Sequence, residues 1–280
     1  MIPATEPDSI SIRGVPIRYR EVGQGRPVLM LHGRPSDHRL MAAALEPVFT
    51  RRQGWRRIYP DLPGMGQSPR ADWIRSEDDV LVAVLEFVDQ VVGGGRFSVI
   101  GVSYGGYLAR GLIHHRRKQL DGAMLWVPAM SLAADRPDVP EPQPVVVDPA
   151  AVAAVEPDEE FWLRVAVVQT EPMLALFRER VRPGMLIADH EFLEPIAESG
   201  GFSFDPDALP EPMPAPALIL AGRQDSNVGY RATVRLLENF SRGTLAVLDR
   251  AGHRLAEEQA RTFEALVDDW LDRVEEYAPA

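Results

Sequence analysis

Val-Ile-Gly-Val-Ser-Tyr-Gly-Gly, residues 99–106, is the stretch that decides the fold of this 280-residue chain. A β-branched run ends at Gly101, Ser103 stands between two glycines, and a helix-compatible segment follows over residues 104–118. Gly-x-Ser-x-Gly between a strand and a helix predicts a nucleophile elbow, a sharp turn that projects the serine hydroxyl from the end of a sheet. Gly101 and Gly105 fit because side chains there would collide across the turn. By chance the pentapeptide occurs in about one chain in ten of this length, so its meaning depends on the rest of the sequence.

The composition is that of a globular protein, with 45% hydrophobic residues and a net charge of −11. The acidic balance argues against a nucleic-acid partner or an anionic membrane surface. Because the chain has no cysteine, disulfides, thiolate catalysis and cysteine metal sites are excluded. Residues 1–9 lack the apolar core of a secretory signal, and no apolar run reaches the roughly 18 residues of a membrane span. We therefore expect a cytoplasmic enzyme, and the 25 prolines and single lysine suggest a bacterial, GC-rich source.

Buried apolar runs and helical periodicity alternate along most of the chain. Strands are expected at residues 9–13, 15–22, 27–31, 55–59, 97–100, 122–127, 217–221 and 244–248. Helices are expected at residues 39–49, 76–92, 104–118, 229–240 and 255–277. This alternation predicts an α/β fold, with a mostly parallel, doubly wound sheet covered by helices on both faces.

Residues 128–214 interrupt this rhythm with a proline-rich, acidic segment that shows no strand alternation. Residues 135–149 predict an extended loop. Helices are expected at residues 158–170, 172–181 and 184–198. The segment has too many aromatic and aliphatic residues for a solvated linker. We interpret residues 128–214 as a helical cap, or lid, inserted into a core domain of residues 1–127 and 215–280.

Three residues suited to nucleophilic catalysis follow predicted strands, in the order Ser103, Asp225 and His253. The carboxyl ends of parallel strands are where open α/β sheets build their sites. A serine hydroxyl needs a base during attack, a histidine can supply it near neutral pH, and an aspartate can hold the imidazole in the required tautomer. Asp135 is a rival acid but comes late after its strand, whereas Asp249 is expected only to shape the loop before His253.

An oxyanion formed by attack of Ser103 needs two backbone N–H donors. Tyr104, the residue after the nucleophile, supplies one. Arg34 is expected to supply the other, because Gly33 allows a close approach and Pro35 has no N–H. His32 is expected to be structural and to hydrogen-bond neighbouring loops. The Arg34 side chain has two interpretations: it reaches a substrate carboxylate bidentately, or it points to solvent or pairs with a lid acid.

Together, five motifs resemble those of the α/β-hydrolase superfamily, over a span from Ser9 to Tyr277. They are His-Gly-Arg-Pro at 32–35, Asp-x-Pro-Gly-x-Gly-x-Ser at 61–68, Gly-Val-Ser-Tyr-Gly-Gly at 101–106, Gly-Arg-Gln-Asp at 222–225 and Gly-His at 252–253. The resemblance implies an eight-stranded, mostly parallel sheet with a helical cap after the sixth strand. A serine at 103 argues against haloalkane dehalogenases and epoxide hydrolases, which attack through an aspartate.

Proline iminopeptidases remain an alternative within the superfamily, although His-Gly-Arg-Pro-Ser departs from their usual His-Gly-Gly-Pro-Gly. Acidic lid residues such as Glu159 and Glu160 would then bind an amine terminus; as plain helix residues they would only contribute surface charge. Side chains near the lid are candidates for the walls of a substrate pocket: Trp126, Met130, Phe161, Trp162 and Phe177.

The sequence therefore predicts a serine hydrolase of the esterase type, with a Ser-His-Asp catalytic triad, an oxyanion hole, a small-molecule substrate, and no cofactor or metal. A carboxylic ester is the default substrate, while a lactone, a small amide or an activated C–C bond would use the same apparatus. Two alternatives stay open: a non-hydrolytic lyase, cyclase or perhydrolase of a biosynthetic pathway, and a binding protein that kept the fold without catalysis. The sequence does not predict an oligomeric state.

Overall fold

The computed structural model describes residues 7–132 and 139–278, so the rival acid Asp135 lies outside the described residues. The strands in this part are β1 (Asp8–Ile12), β2 (Val15–Val22), β3 (Arg26–Leu31), β4 (Trp55–Pro60), β5 (Phe97–Val102), β6 (Leu120–Trp126), β7 (Val146–Val147), β8 (Val168–Gln169), β9 (Ala217–Gly222) and β10 (Gly243–Leu248). The α-helices are α1 (His38–Phe49), α2 (Glu77–Val92), α3 (Tyr104–Arg116), α4 (Pro149–Ala153), α5 (Glu160–Val165), α6 (Glu171–Arg180), α7 (Arg182–Ile187), α8 (His190–Glu198), α9 (Leu255–Glu258) and α10 (Ala260–Tyr277).

Eight of these strands form one sheet in the order β1-β2-β4-β3-β5-β6-β9-β10. The β1–β2 and β2–β4 pairs are antiparallel, and every other pair in this sheet is parallel. β5, β6 and β9 are buried along their whole length, as expected for apolar strands covered by helices on both faces. The predicted mostly parallel, eight-stranded sheet is confirmed.

The long helices begin and end where the sequence places capping residues. The side chain of Ser76 accepts the N–H of Asp79 at the start of α2, and Gly93 ends that helix in the left-handed conformation, with φ of 68°, as capping rules predict. α10 presents a buried stripe of Phe263, Val267, Trp270, Leu271 and Val274. Among the described helices, none is long and apolar enough to cross a membrane.

Two helix predictions in the core need correction. Residues 229–240 do not form an α-helix but a 3-10 helix over Ala232–Asn239. The final helix is not continuous, because Gln259 leaves helical geometry with φ of −132° and ψ of 44° between α9 and α10. The break keeps the short α9 against the loop of His253, where Glu258 accepts the N–H of Gly252 at 2.7 Å.

In the described part of the predicted lid segment, residues 128–132 and 139–214, helices are the main regular structure, but three of the predicted elements are wrong in detail. The expected loop at 135–149 contains β7 and the start of α4, and the expected helix 158–170 ends at Val165 because Val168 pairs with Val146 in a two-stranded parallel sheet. The expected helix 184–198 is broken before α8, where Asp189 caps the new helix by accepting the N–H of Phe192. The assignment of residues 128–214 as a separate lid stays a prediction.

Several contacts hold this segment to the sheet domain, and two of them involve the loop after β4 and helix α3. The Asp189 N–H donates to the Gly64 carbonyl at 2.8 Å, and the Phe192 ring lies so close to Gly64 that a Cβ there would approach it to 2.4 Å. On the other side, Tyr107 of α3 stacks on Phe202 with ring centroids 4.3 Å apart. These contacts join the segment to the loop after β4 and to the helix after β5, both of which follow the carboxyl end of a strand.

Candidate active site

Ser103 lies between β5 and α3 in a backbone conformation that few non-glycine residues adopt. Its φ is 52° and its ψ is −116°. Strained residues of this kind persist only where the surrounding structure holds them in place, and they cluster at active sites. The Ser103 N–H donates to the carbonyl of Trp126, and its carbonyl accepts the N–H of Tyr107, both at 3.0 Å. A serine before a helix usually caps it, but the Ser103 side chain makes no capping hydrogen bond. The Ser103 hydroxyl is therefore available to a residue outside α3.

The glycines around Ser103 are required by close backbone contacts. A Cβ on Gly101 would lie 2.3 Å from the Gly105 carbonyl oxygen, and a Cβ on Gly105 would lie 2.1 Å from the Leu31 carbonyl oxygen. Neither neighbour can yield, because both are backbone atoms. The elbow is therefore packed directly on the end of β3, which brings the loop after β3 to the serine.

We expect Gly105→Ala to destabilise the protein by about 3 kcal/mol or more, at the upper end of what overpacking causes. The added methyl group would force the elbow away from β3, so turnover should fall with stability. Urea unfolding followed by circular dichroism measures the free energy of unfolding. Gly95→Ala is the matched control, since its nearest contact would be 3.4 Å, to Val92, and it should change stability by less than about 0.5 kcal/mol. Equal stability of the two variants would contradict the prediction.

The three residues singled out in the sequence lie in one hydrogen-bonded chain. The Oγ of Ser103 is 3.0 Å from Nε2 of His253, and Nδ1 of His253 is 2.9 Å from Oδ2 of Asp225. Asp225 follows β9 and His253 follows β10, so both come from the carboxyl ends of parallel strands. This geometry leaves Nε2 as the acceptor for the serine proton when Nδ1 carries the histidine proton.

Asp225 is fully buried, with 0% of its surface exposed, and each of its carboxylate oxygens has a separate task. Oδ1 accepts the N–H groups of Asn227 and Val228 at 2.8 and 2.9 Å, while Oδ2 faces His253. The two backbone donors fix the plane of the carboxylate. The orientation of the imidazole therefore follows from the fold of the loop after β9.

His32 is structural, as expected, and joins the two loops beside the serine. Its Nδ1 lies 2.8 Å from the Gly33 carbonyl, and its Nε2 accepts the N–H of Leu62 at 2.9 Å. Burial lowers the pKa of His32, so the ring is neutral and donates from Nδ1. The loop of residues 61–68 is held by Asp61, which accepts the N–H groups of His38 and Gln67. His32 and Asp61 thus anchor the neighbouring loops.

The two predicted oxyanion donors lie on segments that contact each other. A Cβ on Gly33 would be 3.4 Å from the Cβ of Ser103, so the loop that carries Arg34 lies against Ser103. Tyr104 is the first residue of α3, and the first N–H groups of a helix have no intrahelical acceptor. Within residues 7–132 and 139–278, no protein acceptor for the N–H of Arg34 is found either. Their role as an oxyanion hole stays a prediction.

The Arg34 side chain neither points to solvent nor pairs with a lid acid, so that expectation is wrong. Its Nη1 donates to Oε1 of Glu77 at 2.8 Å, and its guanidinium carbon lies 4.2 Å from the centroid of the Tyr104 ring. Glu77 belongs to α2, for which the sequence predicted only a helix over residues 76–92. A sequence signal existed, because Glu77 stands three, four and seven residues before buried Val80, Leu81 and Val84 and so shares their helix face.

Glu258 is a second buried acid that the sequence analysis missed. It accepts the N–H groups of Val167 and Gly252 at 2.6 and 2.7 Å, and that of Val168 at 3.1 Å. Burial raises its pKa, although these three donors oppose that shift. Glu258 therefore ties the strand β8 to the loop of His253.

The five predicted pocket side chains differ in their surroundings. Trp126 packs on Phe263 with ring centroids 4.9 Å apart, and Trp162 and Phe177 are buried. Phe161 and Met130 are partly buried. Contact between any of them and a substrate stays a prediction, and burial favours core packing for the first three.

Glu159 differs from its expected role as a surface charge. Its side chain is buried and binds Arg178 through two hydrogen bonds of 2.7 Å. These hydrogen bonds lower the pKa of the Glu159 carboxyl. A carboxylate engaged in this way no longer supports the binding of a substrate amine.

Asp37, His38 and Asp61 form the one group in the described residues with the spacing of metal ligands. Their ligand atoms already have protein partners, because Asp37 binds Arg39 through both oxygens and Asp61 binds the His38 ring at 2.8 Å. The hydrogen bond from His38 holds the pKa of Asp61 below its usual value, against the effect of burial. This group stabilises loops and offers no free ligand set.

Comparison with known proteins places this geometry in a family. A model of the alpha/beta hydrolase family matches residues 28–266. A crystal structure of an alpha/beta superfamily hydrolase from Oenococcus oeni PSU-1 superposes with a TM-score of 0.83 and 28% identity, covering 96% of this chain and 99% of the other.

Two curated proteins of Pseudomonas putida are similar over nearly their whole length. A 2-hydroxy-6-oxononadienedioate/2-hydroxy-6-oxononatrienedioate hydrolase is 24% identical over 91% of each chain. A 2-hydroxy-6-oxo-2,4-heptadienoate hydrolase from strain F1 is 27% identical over 92% of this chain and 93% of its own.

Proposed function

Because the chain belongs to the alpha/beta hydrolase family, we propose that it is a serine hydrolase that cleaves a carboxylic ester or a related acyl bond of a small molecule. The observation that carries the proposal is the unbroken chain of hydrogen bonds from Ser103 through His253 to Asp225. A binding protein would not need a nucleophile, a base and an orienting acid within hydrogen-bond distance. The strained φ of Ser103 supports the same conclusion, since it projects the hydroxyl from the turn.

In the first half of the reaction, Ser103 Oγ attacks the carbonyl carbon and His253 Nε2 takes its proton. Asp225 keeps the imidazole proton on Nδ1 and stabilises the imidazolium that forms. The negative charge on the substrate oxygen is stabilised by the N–H groups of Arg34 and Tyr104. His253 then passes the proton to the leaving alcohol, and the C–O bond to that alcohol breaks, which leaves an acyl-enzyme.

In the second half, water replaces the alcohol. His253 takes a proton from the water as it attacks the acyl carbon, and the same two N–H groups stabilise the second oxyanion. Collapse of this intermediate breaks the bond to Ser103, whose oxygen regains the proton from His253. The products are a carboxylic acid and the free enzyme, and the chemistry needs no cofactor.

Hydrolysis of a C–C bond is a second candidate, favoured by the names of the curated relatives. Compounds such as a 2-hydroxy-6-oxo-2,4-heptadienoate contain a ketone, an enol and a carboxylate but no ester or amide. Their hydrolysis therefore breaks a bond between carbon atoms next to the ketone. The same serine, base and oxyanion donors would serve, with a carbon leaving group that must be protonated.

A panel of substrates tests the proposal. We expect the wild-type protein to hydrolyse p-nitrophenyl esters of short acids and to react with a fluorophosphonate at Ser103, detected by mass spectrometry of the labelled peptide. A 2-hydroxy-6-oxo dienoic acid, followed by loss of its absorbance, tests the second candidate. Refusal of the fluorophosphonate together with inactivity on every ester would overturn the proposal and favour a non-hydrolytic reaction on this fold.

A further inference from the structure

We propose that the side chains of Arg34, Glu77 and Tyr104, here named the oxyanion clamp, position the two oxyanion N–H donors relative to each other. The inference rests on the proposed function, because it concerns the N–H groups of Arg34 and Tyr104. It goes beyond that function because it states that Glu77, which lies on α2 rather than α3, affects the rate of the reaction. Glu77 is a positioning residue and does not touch the substrate.

The clamp is a closed set of three contacts. Glu77 Oε1 accepts Nη1 of Arg34 at 2.8 Å, and Oε2 accepts the hydroxyl of Tyr104 at 2.5 Å. The third contact is the guanidinium of Arg34 over the Tyr104 ring, at 4.2 Å from the centroid. One carboxylate thus holds both residues that carry the proposed donors, and the cation–π contact joins them directly.

The oxyanion clamp is mostly buried. The Glu77 side chain is 0% exposed and that of Arg34 is 15% exposed, so their hydrogen bond is largely shielded from water. Glu77 is the first residue of α2, where the helix dipole favours a negative charge. Burial and the nearby Glu77 charge raise the pKa of Tyr104 well above its usual value, so its hydroxyl stays a neutral donor. Removal of one partner would leave a buried charge without its counterpart.

The clamp acts on a donor that lies in a turn, outside any helix or strand. The N–H of Tyr104 belongs to α3 and moves with that helix, but Arg34 lies in the turn between β3 and α1. His32 fixes the start of this turn through Leu62. Beyond it, the side-chain contacts of Arg34 tie the turn to Glu77 and Tyr104. An error of about 1 Å in a catalytic group can reduce a rate by about 10²-fold, so this tie bears on kcat.

The chain contains a matched network that does not touch the site. Glu46 accepts the hydroxyl of Tyr59 at 2.6 Å and two nitrogens of Arg57 at 3.1 Å, all in buried positions. This group has the same three residue types but shares no residue with the elbow or the Arg34 loop. Its variants therefore measure what the loss of a buried Tyr–Glu–Arg contact does to stability alone.

The experiment compares Tyr104→Phe and Glu77→Gln with Tyr59→Phe and Glu46→Gln. We expect each clamp variant to lower kcat on a p-nitrophenyl ester by about tenfold, with KM within about twofold. This is less than the roughly 10²–10³-fold loss from removal of an oxyanion donor.

Inhibition by a trifluoromethyl ketone supplies the second measurement. Ser103 Oγ adds to its carbonyl carbon, the Oγ proton passes to His253, and the resulting oxyanion occupies the hole. The Ki of this ketone should rise by the factor that kcat falls.

The control variants should lower the melting temperature to a similar extent but leave kcat and Ki within about twofold of the wild type, as expected for sites with no shared partners. Unchanged kcat and Ki in Tyr104→Phe would overturn the clamp, even if Glu77→Gln does not fold. A rise in KM confined to carboxylate-bearing esters would also overturn it, because Arg34 would then bind substrate. A wild-type protein that neither hydrolyses esters nor binds the ketone would overturn the proposed function as well, so the two failures are distinguishable.

Discussion

Ser103→Ala is expected to lower kcat on p-nitrophenyl esters by a factor on the order of 10⁶, the loss seen when a serine nucleophile of a triad is removed. The Oγ is the atom that His253 Nε2 faces at 3.0 Å, and no described hydroxyl group other than that of Ser103 hydrogen-bonds this nitrogen. Purified variant and wild type are compared under saturating ester, and both are treated with a fluorophosphonate. The labelled peptide of the wild type should contain Ser103, and the variant should take up no label.

Loss of activity in Ser103→Ala should occur without loss of structure. The Ser103 side chain makes no cap hydrogen bond with α3, so its removal gives up only the contact to His253, and the melting temperature should change little. Ser199→Ala, which removes a hydroxyl bonded to the Ile196 carbonyl at a helix end, is the control and should keep full activity. Turnover by Ser103→Ala within tenfold of the wild type would contradict the assignment of the nucleophile.

The core of the fold was predictable because its signals are local. The strand before Ser103 is an apolar run, the helix after it begins directly at Tyr104, and Gly101 is required by its contact with the Gly105 carbonyl across the same turn. In a parallel sheet, strand ends meet at one edge. The order of Ser103, Asp225 and His253 along the chain therefore sufficed to predict that they approach each other.

The segment of residues 128–214 was less predictable because its elements depend on distant partners. β7 and β8 have two residues each and exist only because Val146 and Val168 meet, a pairing that no periodicity of either segment shows. The break before α8 depends on one capping side chain, Asp189. Short elements of this kind have little intrinsic preference, so tertiary contacts decide them.

The environment of the candidate site was the least predictable part. Arg34 and Glu77 are 43 positions apart, and their pairing depends on how α2 packs beside the loop after β3. Glu258 reaches residues 90 and 91 positions away. A charged residue in a sequence is read as exposed unless its partner is known, and the sequence alone does not identify the partner.

Asp225→Asn is expected to lower kcat by about 10⁴-fold, as happens when the acid of a triad becomes an amide. The reason lies in the two N–H groups of Asn227 and Val228, which donate to Oδ1. They oblige the amide to keep its oxygen on their side, so its NH₂ group faces Nδ1 of His253. Nδ1 must then accept a hydrogen bond, and the imidazole proton moves to Nε2. A protonated Nε2 cannot take the proton of Ser103, so the base is lost although every atom keeps its place.

The matched control is Asp249→Asn, which removes the exposed carboxylate that precedes His253 in the same loop. It should retain kcat within about twofold, because surface changes away from the hydrogen-bonded chain have small effects. Kinetics with a p-nitrophenyl ester and the rate of fluorophosphonate labelling provide two independent measurements, and both should fall in Asp225→Asn alone. If Asp249→Asn lost activity and Asp225→Asn kept it, the acid would be Asp249 and the buried carboxylate would serve only the loop. If the base acts through Nε2, Asp225→Asn must lose activity, because Nδ1 has no acceptor for its proton once Oδ2 becomes an amide nitrogen.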